Sequence, residues 1–519
     1  MNRTQLIRSI FAPRLRVLDR YATEAEAMQR ATLARLLKKG RQTLWGWEHG
    51  FDKVDDYEAF VQSSPVNDYE DLKTYIDRMR HGEKDVLWPG QVRWYAKSSG
   101  TTNDKSKFIP VSSDNLRDTH YQGGKDAVVW YLHNTPKSRL FNGKALILGG
   151  SHQPNFNLPH SLVGDLSAIL IENINPLVNL IRVPKKATAL LSDFEVKRDR
   201  IAREAIGQRV TSLSGVPSWM LSVLTRVLEL SGKEHINEVW PDLEVFWHGG
   251  VAFTPYREQY RRLITNPDMH YMETYNASEG FFGLQDDPQD KAMSLMVDYG
   301  VFYEFIPMDA LEQGDAQAIP LWEVETGRNY AMVITTSSGL WRYMIGDMVR
   351  FTSTNPYKFV ITGRTKSFIN AFGEELIVDN AEQGLEIACR EAGAEVREYT
   401  AAPVFMDEQG HCRHQWLIEF SREPADLEQF ATRLDLALQS LNSDYEAKRY
   451  KDITLQRLEI IPARRGLFDD WLKSQGKLGG QHKVPRLSND RKVIESIRLT
   501  PSPSLAERGV YTKQPLNRT

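Results

Sequence analysis

Residues 95 to 110 of the chain read Tyr95-Ala-Lys-Ser-Ser-Gly-Thr-Thr-Asn-Asp-Lys-Ser-Lys-Phe-Ile-Pro110. The stretch groups hydroxyl side chains around Gly100, which lets a ligand approach the backbone closely, and then adds two lysines. Backbone N–H groups and cations in such a loop favour anions. We therefore predict a polyphosphate-binding loop with contacts from Ser98, Ser99, Gly100, Thr101, Thr102 and Lys107.

The loop is not a Walker A motif, which requires Gly-x-x-x-x-Gly-Lys-[Ser/Thr]. Lys105 and Ser106 would fill its last two positions, but Asp104 stands where the second glycine is needed. A carboxylate at that position would face phosphate oxygens, which argues against a P-loop ATPase. A polar surface turn remains an alternative, because Ser-Ser-Gly-Thr-Thr is a common composition for turns.

Two later segments raise the odds of a nucleotide site, Tyr275-Asn-Ala-Ser-Glu-Gly-Phe-Phe-Gly283 and Trp341-Arg-Tyr-Met-Ile-Gly-Asp-Met-Val-Arg350. In order and spacing, the three segments resemble the serine-threonine loop, the Tyr-x-x-Ser-Glu segment and the Tyr-x-x-Gly-Asp segment of the Gretchen Hagen acyl acid amido synthetases. That auxin-responsive family belongs to the adenylate-forming superfamily of acyl-CoA synthetases and firefly luciferase. Gly480-Gln-His-Lys-Val-Pro-Arg486 resembles the family's C-terminal lysine segment. The resemblance spans most of the chain, and four motifs in the same order make it specific.

Composition excludes several classes of protein. The chain has 519 residues, 41% of them hydrophobic, which indicates a globular protein of more than one ordinary domain. The formal net charge is -3 without a dominant basic tract, so we expect no nucleic-acid partner. We also expect no membrane association, because no apolar run reaches spanning length. The sequence says nothing about the oligomeric state.

The compartment is inferred from the cysteines and from the start of the chain. Two cysteines, Cys389 and Cys412, are too few for a disulfide framework and fit a reducing compartment. An Arg-rich start can mimic a mitochondrial presequence, but Thr23-Glu-Ala-Glu26 soon adds acidic residues and is typical of a helix start. We therefore expect a cytoplasmic protein.

The order of strand and helix patterns predicts an α/β fold. We expect a large N-terminal domain of mixed sheets with a β-barrel-like part flanked by helices, and a smaller α+β C-terminal domain that moves about a hinge. Strands are predicted at 145–148 and 243–247, each running into a glycine pair, and helices at 217–229 and 256–264. From Ser294 onward the sequence patterns are mostly those of β-strands, which suggests a smaller sheet or barrel.

The domain boundary is placed at Gly363-Arg364, which resembles the hinge dipeptide of the superfamily. It gives an ATP- and acyl-binding domain of residues 1–363 and a mobile domain of residues 364–519. In the second domain we predict a helix, two strands, a helix and a strand, at 380–392, 398–405, 415–420, 424–441 and 455–461. His411-Cys412-x-His414 lacks a second ligand pair at zinc spacing, so a hairpin turn is the preferred interpretation.

The reaction implied by the resemblance needs positive charge. A carboxylate attacks the α-phosphate of ATP and pyrophosphate leaves, so cations must screen two anionic groups. ATP and Mg²⁺ are therefore the implied cofactors. Glu279 is the predicted metal ligand and a catalytic residue, with Ser278 beside it as an ATP-binding residue. The alternative is that Glu279 is only a helix-start residue.

Other nucleotide contacts follow from the third segment and from the hinge. Asp347, after Gly346, can accept both ribose hydroxyls, although Gly-Asp is also a common turn pair. Tyr275 and Tyr343 are predicted to line the adenine slot, although such aromatics more often lie in a core. Arg364 is a hinge or ribose candidate.

The second catalytic candidate is Lys483, which lies in a glycine-rich segment. Its charge can neutralise the α-phosphate and the carboxylate together once the C-terminal domain closes over the other domain. A solvated surface lysine is the alternative. The acyl group is predicted to lie beside His248, Gly249 and Gly250, which follow the strand predicted at 243–247. Val216 is predicted to supply a further wall of the same site.

The resemblance implies an ATP-dependent acyl acid–amino acid ligase, whose partners are a small carboxylic acid and an amino acid. An enzyme with a thiol acceptor such as coenzyme A, and a nucleotide- or acyl-binding protein without turnover, remain alternatives. Asn103-Asp104-Lys105 replaces the Gly-x-Pro-Lys-Gly continuation of acyl-CoA synthetases, which favours the amide product. Neither the acyl acid nor the amino acid is identified by the sequence.

Overall fold

The computed structural model describes residues 3–99, 106–250, 253, 256–312, 317–365, 368–374, 376–405, 412–452, 454–474 and 484–501. Gly100, Thr101, Thr102 and Lys483, all singled out above, lie outside these residues. The chain forms two compact units, Met1–Ser98 with Ser106–Thr365, and Lys366–Thr519. Within the described residues, no helix is both long enough and apolar enough to span a bilayer.

The larger unit begins with helices that cover one face of its core. A reciprocal capping box starts the fifth helix, because the Asp68 carboxylate accepts from the backbone of Asp71 while the Asp71 side chain accepts from the backbone of Asp68. Gln29, buried on the second helix, donates to the carbonyls of Val297 and Val301. The helices are α1 (Arg3–Asp19), α2 (Tyr21–Gly40), α3 (Leu44–Glu48), α4 (Tyr57–Ser63) and α5 (Tyr69–Arg80).

A three-stranded sheet in the order β2-β1-β4 carries the ends of the first motif. Its strands are β1 (Trp94–Ser99), β2 (Ser106–Val111) and β4 (Leu162–Gly164). After β2 the chain runs through α6 (Ser113–Asn115) and a π-helical turn (Leu116–Tyr121) into α7 (Gln122–Asn134).

A twelve-stranded sheet forms the rest of the larger unit, and five of its strands are parallel, in the order β5-β3-β6-β7-β8. We call these five strands the parallel half. They are β3 (Lys144–Ile147), β5 (Arg182–Val183), β6 (Val210–Gly215), β7 (Val245–His248) and β8 (His270–Ala277). The helices between them are α8 (Leu166–Asn173), α9 (Lys186–Ala189), α10 (Phe194–Ile206), α11 (Pro217–Ser231), α12 (Ile236–Val239) and α13 (Arg257–Leu263).

The remaining strands extend the same sheet from β8 in the order β9-β10-β15-β14-β13-β11-β12, with neighbours antiparallel. We call them the antiparallel half. They are β9 (Gly280–Leu284), β10 (Met293–Leu295), β11 (Val301–Pro307), β12 (Ile319–Pro320), β13 (Asn329–Thr336), β14 (Tyr343–Thr354) and β15 (Tyr357–Arg364), with α14 (Met308–Glu312) after β11. The predicted mixed α/β fold is confirmed. The β-rich region is not a separate sheet, however, because backbone hydrogen bonds join it to the parallel strands through β8.

The smaller unit is α+β. A three-stranded sheet in the order β18-β19-β20 packs with helices, beside a two-stranded pair of β16 and β17. The strands are β16 (Phe368–Ile369), β17 (Leu376–Ile377), β18 (Glu395–Val404), β19 (Arg413–Arg422) and β20 (Glu459–Pro462). The helices are α15 (Val378–Ala392), α16 (Leu427–Leu441), α17 (Ser443–Arg449), α18 (Leu467–Ser474) and α19 (Lys492–Arg498).

The predicted order of elements in this unit matches, but three starts are wrong, the first being that of β18, which begins at Glu395 and not at 398. Helix α16 begins at Leu427, because the Asp426 carboxylate accepts from the backbone of Gln429 and so caps the helix three residues later than predicted. The last strand begins at Glu459, four residues late. His414 lies on β19, fully buried, with its Nε2 2.7 Å from Glu374 Oε1. It is therefore a paired histidine of the interior, while His411 lies outside the described residues.

Candidate functional site

Strand β8 ends in a tight hairpin that presents Glu279. Ala277 pairs with Gly280 across the hairpin, so Ser278 and Glu279 form a two-residue turn. Glu279 is 8% exposed, and its carbonyl accepts from the side-chain amide of Asn115 at 3.3 Å. The helix-start alternative for Glu279 is wrong, because the residue lies between two strands. A carboxylate held in so short a turn has a well-defined position.

The third motif places Asp347 inside strand β14, opposite Arg364 on β15. The turn alternative for the Gly346-Asp347 pair is therefore wrong as well. Gly346 has a φ of +93°, and its carbonyl accepts from the backbone of Thr365 at 2.8 Å. Asp347 is 7% exposed, and its Oδ2 accepts a hydrogen bond from the hydroxyl of Tyr275 on β8. The second and third motifs are thus in direct contact.

The residues after β2 bring the exit of the first motif to the other two. Ser112 donates from its backbone N–H to Ser338 Oγ at 3.0 Å and from its hydroxyl to the Ser337 carbonyl at 2.5 Å, and its hydroxyl oxygen accepts from the backbone N–H of Asn115 at 3.0 Å. Ser337 and Ser338 lie just before the third motif. Three residues after Ser112, Asn115 donates to the Glu279 carbonyl. Ser112 and Asn115 were missed by sequence reasoning, since a serine and an asparagine after a strand carry no distinctive pattern.

The π-helical turn adds a buried histidine to the second motif. His120 Nδ1 lies 2.7 Å from Asn276 Oδ1, and Asn276 follows Tyr275 directly. Burial lowers the pKa of His120 to about 4, against the opposing effect of the hydrogen bond to Asn276. The imidazole is therefore neutral near pH 7. Single π turns inside helices recur at functional sites, but no sequence pattern identifies this one.

The parallel half brings its predicted acyl-site residues to a single edge. Parallel strands end at the same edge, where open α/β sheets bind ligands. Gly215 pairs with His248, so Val216 and the His248-Gly249-Gly250 segment both begin there. A side chain at Gly249 would meet the Thr274 carbonyl at 2.3 Å, which explains the glycine at that position.

His248 is a buried aromatic side chain at this edge. It is 3% exposed and stacks on Phe253, with ring centroids 4.2 Å apart. Burial, with Arg257 nearby, lowers its pKa to about 3, so the ring is uncharged near pH 7. Its Nδ1 is buried without a hydrogen-bond partner in the described part of the chain. A neutral, flat ring with one open nitrogen suits an aromatic or polar-edged ligand.

A buried lysine fixes the neighbouring turn after β3. Lys197 of α10, 6% exposed, donates from Nζ to the carbonyls of Gly149 at 2.5 Å and Gly150 at 2.9 Å. Burial lowers its pKa to about 8, with Asp165 opposing the shift. The Gly150 N–H donates to Ser167 Oγ at 2.8 Å. The polar groups of this turn are therefore held by side chains, a role that the sequence did not indicate for Lys197.

The remaining candidates are less closely placed. Ser98 and Ser99 end β1, and Lys107 lies on β2 with its ammonium 5.7 Å from the Tyr69 ring centre. Tyr343 is 1% exposed and lies in the core at the start of β14. The roles predicted for these residues and for Arg364 stay predictions.

Magnesium fits the donor set in a limited sense. Among the described residues, no group of three or more His, Cys, Asp or Glu side chains is placed to hold a metal ion. Mg²⁺ at nucleotide sites needs one or two carboxylates together with substrate phosphates and water. Glu279, a buried carboxylate at the sheet edge, meets that requirement.

Comparison with known proteins gives matches over most of the chain. Three family models match it, the GH3 family N-terminal domain at residues 14–269, the central domain at 294–364 and the C-terminal domain at 379–492. The indole-3-acetic acid-amido synthetase GH3.8 of Oryza sativa subsp. indica is 27% identical, over 93% of this chain and 92% of the rice protein.

Two solved structures share the fold. The AtGH3.15 acyl acid amido synthetase in complex with 2,4-DB superposes with a TM-score of 0.60 at 18% identity, over 94% of this chain and 95% of the other. A 2-hydroxyisobutyryl-CoA ligase in complex with 2-HIB-AMP and CoA superposes with a TM-score of 0.56 at 13% identity, over 92% of each chain.

Proposed function

Since this chain belongs to the GH3 family, the Gretchen Hagen family that its motifs resemble, we propose that it is an ATP-dependent acyl acid–amino acid ligase. The proposed enzyme joins a carboxylic acid to ATP, releasing pyrophosphate and forming acyl-AMP. The amine of an amino acid then attacks the acyl carbon, giving an amide and AMP. The family assignment made from the sequence motifs is confirmed.

One observation carries the proposal, the direct contact between the second and third motifs. The Tyr275 hydroxyl donates to Asp347. Tyr275 lies four residues before Glu279, on the strand that leads into the hairpin. A carboxylate for a ribose and a carboxylate for a metal are thus built into one connected piece of the sheet. A site for a nucleoside triphosphate needs both.

Each candidate residue has a distinct part in the proposed reaction. Bound Mg²⁺ would be held by Glu279 and would supply positive charge between the phosphates. Asp347 orients the ribose. The edge formed by Val216 and the His248-Gly249-Gly250 segment holds the acyl group. Because the ring of His248 is neutral, it adds no positive charge that would hold the substrate carboxylate away from the α-phosphate. Lys483, predicted from its motif, is the proposed cation for the α-phosphate.

The substrate class and the compartment are part of the same proposal. The acyl acid is a flat aromatic or medium-length carboxylic acid, in keeping with the stacked ring of His248 at the edge. Both cysteines are free thiols, which suits the cytoplasm.

Pyrophosphate release across a panel of carboxylic acids, with ATP and Mg²⁺, tests the first half-reaction. We expect release with at least one acid, and a loss of about 10²- to 10³-fold in kcat for Glu279→Gln. Glu58→Gln, at an exposed position on α4, is the matched control and should keep full activity. A Glu279→Gln enzyme with unchanged turnover would remove Glu279 from the mechanism.

The acceptor is tested separately, by offering amino acids and coenzyme A one at a time to the active acid. An amide product supports the ligase. A thioester without amide would overturn the acceptor assignment while leaving the adenylation intact.

A further inference from the structure

The contact between Tyr275 and Asp347 crosses an unusual span of the sheet. Their strands, β8 and β14, are separated by β9, β10 and β15. With neighbouring strands about 4.8 Å apart, four steps across a flat sheet measure roughly 19 Å. A tyrosine and an aspartate side chain do not bridge that distance. The sheet must therefore curl at this point, and the hydrogen bond joins the two sides of the curl.

The tyrosine ring is fixed from its own side as well. Tyr275 is 7% exposed, and its ring lies edge-on to Phe282 with centroids 5.0 Å apart and near Phe359 at 6.2 Å. Gly283 makes room for Phe359, because a side chain at that glycine would meet the Phe359 ring at 2.7 Å. A ring packed in this way aims its hydroxyl in one direction. The direction observed is toward Asp347 Oδ2.

An aspartate with one oxygen so engaged has a defined orientation. A carboxylate offers about four acceptor positions on its two oxygens, enough to accept from the tyrosine hydroxyl and from further donors at once. The neighbouring Gly346 has a φ of +93° and carries no side chain, which leaves room beside the carboxylate. A carboxylate in a fixed orientation beside open backbone suits a ligand with two adjacent hydroxyls, since each can donate to it.

We propose that Tyr275 is a positioning residue that orients Asp347 and thereby makes the site selective for ribonucleoside over deoxyribonucleoside triphosphates. The inference rests on the proposed function, because it takes the ligand of Asp347 to be the ribose of ATP. It adds a part for the tyrosine hydroxyl that is separate from the adenine contact predicted for its ring.

Calorimetric binding of ATP, 2′-deoxy-ATP and 3′-deoxy-ATP tests the proposal without requiring turnover. We expect wild-type protein to bind ATP about tenfold or more tightly than at least one deoxy nucleotide, as expected for a hydrogen bond to a charged group. Tyr275→Phe keeps the ring and removes the hydroxyl. This variant should lose most of the preference, and its KM for ATP should rise with a smaller change in kcat.

Two further variants separate orientation from general damage. Tyr303→Phe removes another buried hydroxyl, one that donates to the Met296 carbonyl at 3.2 Å, and should keep the sugar preference. Asp347→Asn should abolish the preference, and adding Tyr275→Phe to it should change the sugar preference no further.

The outcomes distinguish the two proposals. An unchanged sugar preference in folded Tyr275→Phe overturns the positioning role. Equal wild-type affinity for all three nucleotides, with pyrophosphate still released, overturns the ribose contact alone and leaves the ligase standing. Wild-type protein that binds none of the nucleotides overturns both.

Discussion

The parallel and antiparallel halves of the twelve-stranded sheet hold their polar groups by different means. In the parallel half, backbone turns after the strands carry the polar groups. One lysine fixes the turn at Gly149-Gly150 by donating to two of its carbonyls. Buried side chains of the antiparallel half bind partners several strands away, as Asp347 on β14 does with Tyr275 on β8. The first arrangement depends on a few local contacts, whereas the second depends on the curvature of the whole sheet.

The difference suggests a division of labour in the proposed enzyme. Asp347, on a strand of the antiparallel half, and Glu279, in the turn that leads into it, are the groups proposed to bind the nucleoside triphosphate. The parallel half carries the edge proposed for the acyl acid, beside the turn that Lys197 of α10 holds. The predictions below test this contrast by removing one contact at a time.

The largest effect is expected at the buried ion pair of the antiparallel half. Arg342 and Glu304 have side chains 5% and 1% exposed, joined at 2.8 Å, and Tyr57 donates to the same carboxylate at 3.0 Å. Burial raises the pKa of Glu304, with Arg342 opposing the shift. Arg342→Met leaves that buried carboxylate without its positive partner, which should cost about 3–5 kcal/mol of unfolding free energy. Urea unfolding of the larger unit measures it.

Arg350→Met is the control for this variant, because Arg350 is exposed on β14, the strand that follows Arg342 directly. We expect a loss within ~0.5 kcal/mol there. Adding Glu304→Gln to Arg342→Met should restore part of the stability. A loss below about 1 kcal/mol for Arg342→Met alone would contradict the importance of buried pairs in this half.

The next effect is a loss of stability in mild acid. Burial lowers the pKa of His120 to about 4 and, with Arg257 contributing, that of His248 to about 3. The unfolded chain binds these protons near pH 6.5, so below that pH it holds more protons than the folded chain and folding weakens as the pH falls. Between pH 7 and pH 5 each histidine should cost about 2 kcal/mol.

Unfolding midpoints measured from pH 5 to pH 8 check this prediction. The variants His120→Gln and His248→Gln should each flatten the difference, since neither glutamine titrates. His133→Gln, at an exposed position on α7, should follow the wild-type curve. Identical pH dependence in all four proteins would show that the buried rings are not responsible.

Lys197→Met tests the local fixing of the parallel half. It leaves the carbonyls of Gly149 and Gly150 without their donor, which should cost about 2 kcal/mol after allowing for the charge that no longer needs to be buried. If the turn shapes the acyl edge, the KM for the carboxylic acid should rise more than the KM for ATP. Steady-state kinetics and unfolding measure both effects, with Lys137→Met at an exposed position as the control. Equal changes in the two KM values would detach the turn from acyl binding.

The smallest effect compares one glycine from each half. Gly250 and Gly346 have φ values of +82° and +93°, with no neighbour closer than 3.5 Å to an added methyl. Alanine at either should cost about 1 kcal/mol through backbone strain alone. Gly207→Ala, where φ is -82°, should be neutral or slightly stabilising. Thermal unfolding ranks the three variants, and a stabilising Gly250→Ala would contradict the strain at that position.

Local pattern predicted much of this fold. The strand predicted at 145–148 is β3, the one at 243–247 is β7, and each runs into the expected glycines. The helix predicted at 217–229 is α11, which ends two residues later, at Ser231. The residues that determine these elements are close together in the sequence, so local sequence patterns are enough to predict them.

The contacts between distant strands were not predicted. Glu304 stands inside the apolar run Val301-Phe-Tyr-Glu-Phe-Ile306, which signals a buried partner, but only the sheet order identifies that partner as Arg342. Tyr275 and Asp347 were each selected from motifs, while their hydrogen bond depends on the curl of strands between them. The predicted roles of the site residues still await the experiments above.

Strand β8, the last strand of the parallel half, joins it to the antiparallel half, because it is parallel to β7 and antiparallel to β9. A chain circularly permuted with its new ends between Ser278 and Glu279 would retain every strand sequence. It would nevertheless cut the two-residue turn that connects β8 to β9 and so joins the two halves. We expect such a protein to fold with a poorly defined register between β8 and β9. This short turn is therefore an unsuitable place to open the chain, and the exposed loops at the far edges of the sheet are a better choice.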